Sequence, residues 1–197
     1  MGGNYLFYGW QDRFFHLGFL HPFSKDILTG CSVYYHFIDV CLPYLSGCCI
    51  WKKQSLVLGR SPYQWQHEPV LFGWKKKGKH QWYTGRKEST IWEFDKPKKN
   101  SDHPTMKPIA LLSYPIMNST MTGCLVLDPF GGSGSTLIAC EQTGRVCYTS
   151  ELDEKFCDVI VNRYKEQVGS ASTITCQRDG LTYTYEEIIS QMEAENV

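Results

Sequence analysis

Between residues 101 and 197 the apolar positions change period several times, and each change predicts an element. Leu125 to Leu127 is a short apolar run ending at Asp128-Pro129, the pattern of a buried parallel strand. Gly131, Gly132 and Gly134 follow, with Ser133 between them, which predicts a tight turn. A helix should begin near Thr136, capped by Ser133 or Ser135, and stop at Thr143-Gly144. Arg145 to Ser150 reads as the next strand, with Glu151 at its carboxyl end. Asp153 to Gln167 places Phe156, Val159, Ile160 and Tyr164 on one helical face, and Gly169 ends it. Thr173 to Cys176 suits an edge strand. Gly180 onward suits a turn, a short strand and a closing helix, with a frayed tail from Glu193 to Val197.

Upstream the pattern is less regular. Pro108 fits the first turn of a helix running from Ile109 to about Met117. Val70 to Gly73 reads as a buried strand, Lys75 to Arg86 as an exposed basic loop, and Asp95 to Asn100 as a surface linker. Phe14 to Leu20 suits a helix fragment. Ser32 to Val40 fits a strand or a buried helix equally well.

Strand, glycine turn, helix, strand, carboxylate is an arrangement that holds a nucleoside beyond the carboxyl ends of the strands. Four readings compete. A phosphate-gripping loop needs Gly-Lys-Ser/Thr, and no lysine stands between Pro108 and Lys155. A dinucleotide fingerprint needs a third glycine where Leu137 stands. The remaining two are a site for S-adenosylmethionine (SAM), which has no phosphate to cradle, and a purely structural turn.

The wider sequence bears on that choice. His103-Pro-Thr-Met-Lys-Pro108, Asp128-Pro-Phe-Gly-Gly-Ser-Gly-Ser-Thr136 and Ser150-Glu-Leu-Asp-Glu-Lys-Phe156 occur in that order. Together they resemble the amino-group DNA methyltransferases, which methylate adenine N6 or cytosine N4, in that family's β-type motif order. Ile50 to Lys53 and Arg60 to Gly73 are similar to it as well, so the likeness spans roughly Ile50 to Val168. The resemblance implies an α/β, Rossmann-like SAM-dependent methyltransferase fold, incomplete at the N-terminus, in one domain over residues 1–197. Within it, residues 1–49 match poorly, 50–100 would serve target recognition, and 101–197 would bind the cofactor. It further implies cofactor contacts from His103, Pro104, Thr105, Lys107, Asp128, Pro129, Phe130, Gly131, Gly132, Ser133, Gly134, Thr136, Glu151 and Leu152. The implied partner is double-stranded DNA.

One family feature is missing. The catalytic tetrapeptide contains Pro-Pro, and none of the nine prolines here has a proline neighbour. An exocyclic amino group is a weak nucleophile because its lone pair is delocalised into the base, and the tetrapeptide's acceptors help localise it. No catalytic residue can therefore be named, and weak or absent transfer by this chain is expected. Two functions stay open: a DNA amino-methyltransferase, and a catalytically inactive module that binds SAM and DNA. Cytosine C5 chemistry needs Pro-Cys, which is absent.

Charge adds to the DNA reading. The 197 residues balance 20 basic against 20 acidic side chains. From Lys52 to Lys107 there are 13 Lys and Arg against 5 Asp and Glu, leaving 7 against 15 elsewhere. Such asymmetry suits a polyanion, although a solvated lysine loop reads the same way. Candidate DNA contacts are Lys52, Lys53, Arg60, Lys75, Lys76, Lys77, Lys79 and Arg86. Tyr63, Trp65 and other aromatics lie among them as candidate stacking partners. His67-Glu68 fits either a motif pair or a buried histidine with a bonded neighbour. Nine cysteines contain no Cys-x-x-Cys spacing, so zinc is not expected, and reduced thiols in a cytoplasmic protein are. No apolar run is long enough for a membrane span. A homodimer is compatible with the sequence.

Overall fold

A computed structural model describes residues 6–9, 16–18, 44–74, 81–95 and 106–195, which form two compact units. The expected element at Ser32 to Val40, most of the linker after Asp95, and the tail beyond Glu195 lie outside the described residues.

The first unit carries a six-stranded mixed sheet. Its strands are β1 (Leu6–Gly9), β2 (His16–Gly18), β6 (Leu125–Asp128), β7 (Val146–Ser150), β8 (Ile174–Arg178) and β9 (Leu181–Thr184). They are ordered β6-β7-β2-β1-β8-β9. The pairs β6–β7 and β7–β2 are parallel, and the rest are antiparallel. Its helices are α1 (Ile109–Ser119), α2 (Ser135–Thr143), α3 (Glu154–Val168) and α4 (Tyr185–Glu195). The core is Leu137, Ile138 and Cys140 of α2, Cys147 of β7, Cys157, Ile160, Val161 and Tyr164 of α3, and Ile174 of β8.

The predicted helices at 109–117, from 136 and at 153–167 form within two residues of their expected ends. Several details differ. The inward face of α3 is Cys157, Ile160, Val161 and Tyr164, while Phe156 and Val159 are only half-buried. Asp153 caps α3 by accepting from the Lys155 amide at 2.9 Å. The cap of α2 is not a serine side chain: Gly134 occupies that place in the left-handed region at φ 73°, with no side-chain cap bond. Gly144, also left-handed, closes α2 as expected by donating to Cys140 and Glu141. Phe14 to Leu20 does not form a helix where it is described, since His16–Gly18 is a strand on β7. The segment at 173–176 is not an edge strand: β8 lies between β1 and β9, with Ile174 and Cys176 buried. A capping box fixes the start of α4, Thr184 N–H donating to Glu187 at 2.7 Å and Glu187 N–H to the Thr184 hydroxyl at 3.2 Å. That bonding holds the Glu187 carboxyl below its usual range.

The largest departure concerns β6. Its run Leu-Val-Leu reads as a strand buried on both sides, yet β6 is the edge of the described sheet. Leu125 and Leu127 are 56% and 71% exposed while Val126 between them is half-buried, so one face of β6 is left uncovered, and β7 is the only strand paired to it among the described residues.

The second unit contains β3 (Tyr44–Val57), β4 (Trp65–Trp74) and β5 (Ile91–Glu93), ordered β4-β3-β5. Strand β3 pairs antiparallel with β4 and parallel with β5. Trp51 and Trp92 face each other in register and are both buried. Each satisfies its indole N–H on a backbone carbonyl, Trp51 on Phe94 at 3.1 Å and Trp92 on Ser89 at 2.8 Å. Val70 to Gly73 lies within β4 and is half-buried, not fully buried.

The α3–α2–β7 contact is what orders the first unit, so truncating its central side chain should be costly. Ile160→Ala is expected to lower stability by about 2–5 kcal/mol, read as a shifted urea midpoint at an unchanged slope. A change below about 1 kcal/mol would mean that the site repacks without loss.

Candidate cofactor cleft and basic hairpin

The glycine turn is shaped from below. Gly131 donates its N–H to the Ser150 carbonyl at 2.8 Å, and Gly134 donates back to Gly131 at 2.8 Å. A Cβ on Gly131 would stand 2.6 Å from the Thr149 hydroxyl oxygen and 3.0 Å from Ile160 Cδ1. A Cβ on Gly134 would meet Ile160 at 3.1 to 3.3 Å. Contact disfavours a side chain at Gly131, and the left-handed φ disfavours one at Gly134, where Ile160 would also have to give way. The Ser150 hydroxyl donates to the Pro129 carbonyl at 2.7 Å, and the Asp128 carboxylate accepts from Phe130 N–H at 3.1 Å.

Two charged side chains fix the turn. Arg163 of α3 donates to the Ser133 carbonyl and, at 3.3 Å, to the Ser135 hydroxyl, which lies 3.1 Å from the Ser133 hydroxyl. Glu151 accepts from Gly132 N–H at 2.6 Å through one oxygen. Its other oxygen accepts from Leu152 and Asp153 N–H at 2.8 and 3.0 Å. Sequence reading singled out Glu151 but not Arg163. The available signal was position: Arg163 follows the core residue Ile160 by three, which puts it on the same side of α3.

Above the turn opens a cleft of about 380 Å³, lined by Lys107, Leu112, Leu127, Asp128, Phe130, Gly131, Gly132, Ser133, Ser135 and Thr136. It therefore gathers Lys107, Asp128, Phe130, Gly131, Gly132, Ser133 and Thr136 of the expected cofactor residues. Pro129 and Gly134 support the turn from behind its lining. Glu151 faces the backbone of the turn, and Leu152 beside it is exposed. His103, Pro104 and Thr105 lie outside the described residues. Burial, reinforced by surrounding carboxylates, pushes the Cys157 thiol up to about 12, while the hydrogen bond between Cys140 and Cys147, together with burial, raises Cys147 and the same bond lowers Cys140. Cys140, Cys147, Cys157 and Cys176 are buried, while Cys48 is exposed.

Of the candidate DNA contacts, Lys52 pairs with Glu93 at 2.5 Å and Lys53 with Glu68 at 2.6 Å. Lys53 also stands 5.6 Å from the Trp51 ring centroid. Their charges are thus largely met within the unit. Arg60 is exposed at the β3–β4 tip and Arg86 in the following loop. Lys75, Lys76, Lys77 and Lys79 lie outside the described residues. His67 is exposed, with its ring centroid 5.3 Å from that of Trp65, so the buried-histidine reading does not hold.

Comparison with known proteins agrees with this geometry. The family model for N6/N4 methyltransferases, described as DNA methylase, matches residues 44–162. The type II methyltransferase M2.MboI of Moraxella bovis is 41% identical over 75 residues, 38% of this chain and 26% of that protein. The type II methyltransferase M.HpaI of Haemophilus parainfluenzae is 30% identical over 94 residues, 46% and 30% of the two chains. The matched segments thus span about a quarter to a third of these relatives. Among solved structures, the M1.HpyAVI–SAM complex superposes with a TM-score of 0.56 at 24% identity, covering 71% of this chain and 70% of that one. The cytosine-N4-specific PvuII DNA methyltransferase superposes with a TM-score of 0.56 at 17% identity, covering 73% and 60%. Those superpositions show a shared α/β methyltransferase fold, and the family match extends across both units. This chain belongs to the N6/N4 DNA methylase family.

Proposed function

We propose that this chain binds SAM in the cleft over the glycine turn and acts in methyl transfer to an exocyclic amino group, adenine N6 or cytosine N4, of double-stranded DNA. The observation that carries the reading is the cleft itself. Its volume suits a small ligand, and its lining pairs Lys107 and Asp128 with the exposed ring of Phe130 and a bare glycine backbone. An ammonium and a carboxylate suit the two charged groups of an amino-acid moiety, and an aromatic face suits a purine. The absence of a Gly-Lys-Ser/Thr loop suits a ligand without phosphates.

When bound, SAM would supply a methyl group on a sulfonium: the amino nitrogen forms the new C–N bond, the S–C bond breaks to leave a neutral thioether, and the amino group loses one proton. The residues of this chain hold and orient the ligand. Glu151 spends three of its roughly four acceptor directions on backbone N–H groups, so one remains for a ribose hydroxyl. Arg163 fixes the Ser133 carbonyl, and with it the floor of the cleft.

A second reading, a binding module without transfer activity, is favoured by the lack of any Pro-Pro pair in the sequence. A cytoplasmic setting and homodimer formation remain part of the proposal. Among the described residues, no helix is long and apolar enough to cross a membrane.

Three outcomes are expected. Glu151→Ala should weaken S-adenosylhomocysteine binding by about 2–3 kcal/mol, the range for bonds to a charged acceptor; calorimetry showing undiminished affinity would remove Glu151 from the site. Arg163→Met should weaken the same binding about tenfold, with Arg163→Lys intermediate because one donor on the Ser133 carbonyl can be restored. Equal affinity in all three proteins, at matched helix content, would reduce Arg163 to a packing role. In a tritiated-methyl assay on unmodified duplex DNA, the 197-residue chain should turn over slowly, since positioned groups of the missing kind commonly supply about 10²- to 10⁴-fold. Robust turnover would refute the reading of a missing catalytic element.

A further inference from the structure

The β3–β4 hairpin ends in an apolar tip that nothing among the described residues covers. Leu58 is 83% exposed and Tyr63 89%, and Leu56, Val57 and Trp65 are exposed beside them. Such a cluster is unusual on a folded surface unless it meets something. This tip is also built. Between the paired positions Lys52–His67 and Val57–Trp65, β3 carries four residues and β4 one, so the strand bulges. Gln66 donates its amide to the carbonyls of Lys53 and Gln54, at 3.2 and 3.4 Å, and ties that bulge to β4. Further out, Gln64 accepts from Gly59 N–H at 2.6 Å and donates to the Ser61 carbonyl at 2.5 Å, closing the loop. Two glutamines are thus spent on holding an apolar point in a fixed shape. Binding by a shape set in advance loses less conformational freedom.

Resting on the proposed function, we infer that this tip is a wedge for duplex DNA, with Leu58 and Tyr63 entering between bases and Arg60 on a backbone phosphate. Chemistry on an exocyclic amino group requires the base to leave the stack. Apolar side chains inserted at a base step are one way that proteins open and kink a duplex. The tip has the required components: a branched aliphatic side chain, an aromatic ring, and a cation between them in sequence. It also belongs to the part of the chain with the basic excess, 13 basic against 5 acidic residues from Lys52 to Lys107. That excess matches a polyanion.

The test uses the full chain and two short duplexes, one intact and one with a one-nucleotide gap flanked by 2-aminopurine. A gap removes the unstacking cost, so the unmodified chain should bind the gapped duplex about tenfold more tightly and raise the 2-aminopurine fluorescence. Leu58→Ala/Tyr63→Ala, whose exposed side chains support no core, should lose that preference and the fluorescence rise. It should bind about 5- to 100-fold more weakly, the range for losing one stacked base. Its affinity should keep the salt slope of the unmodified chain, whereas Arg60→Gln should reduce the slope by about one. Tyr63→Phe should restore most of the gap preference. Identical behaviour of the double variant and the unmodified chain would overturn the wedge and leave DNA binding intact. Failure of the unmodified chain to bind either duplex would overturn the DNA reading and the wedge together. Binding to phosphatidylcholine–phosphatidylglycerol vesicles that is lost in the double variant, with DNA affinity unchanged, would assign the tip to a lipid surface instead.

Discussion

Thr149 and Ile160 lie close beneath the glycine turn: a Cβ on Gly131 would stand 2.6 Å from the Thr149 hydroxyl oxygen, and one on Gly134 would press on Ile160. Most of what the first unit can do follows from that contact. It sets the height of the turn over β7, it leaves backbone as the cleft floor, and it brings α3 near enough for Arg163 to reach the Ser133 carbonyl. A buried hydroxyl, Thr149, sits in the same contact with no hydrogen-bond partner among the described residues. That is an uncommon cost for a buried polar group, and it falls directly under the proposed ligand site.

The hairpin unit follows a different economy. Its interior is two indoles in register, each with its N–H satisfied, and its lysines nearest the core are neutralised by Glu93 and Glu68. Pairs as exposed as Lys52–Glu93 contribute little stability, but they remove positive charge from the middle of the hairpin. Leu58, Arg60 and Tyr63, at the β3–β4 tip, stay exposed.

Much of the first unit was legible because glycine, proline and helical period are local signals. Gly144 and Gly169 end their helices where a left-handed residue was needed, and Asp153 begins the next. The failures share a cause, which is that the deciding contact is remote in sequence. The serine hydroxyls do not cap α2 because Gly134 takes that place, and Ser135 is engaged instead by Ser133 and by Arg163, 28 positions away. Strand β8 became internal because β1, more than 160 residues earlier, pairs with it. The exposure of Leu125 and Leu127 could not be read from Leu-Val-Leu, since a run of apolar residues does not say which face of a strand will be covered. In the site, glycines and Glu151 were visible as a motif, whereas Arg163 carries no motif and is found only by the helix that turns it inward. The tip emerged only once pairing placed Val57 opposite Trp65.

The two bonds that hold the turn from its charged side come from residues later in the chain, Glu151 by 19 positions and Arg163 by 30. Local dihedral preferences alone therefore cannot give the turn its final shape. Until α3 docks, residues 131–135 are a glycine-rich loop free to sample many conformations, and closing it costs the entropy of a loop tens of residues long. As the chain is synthesised, strand β6 and its glycines leave the ribosome well before Arg163 does. The ligand-ready form of the turn thus depends on the third helix being in place, and the strand that bears its motif is not enough to set it.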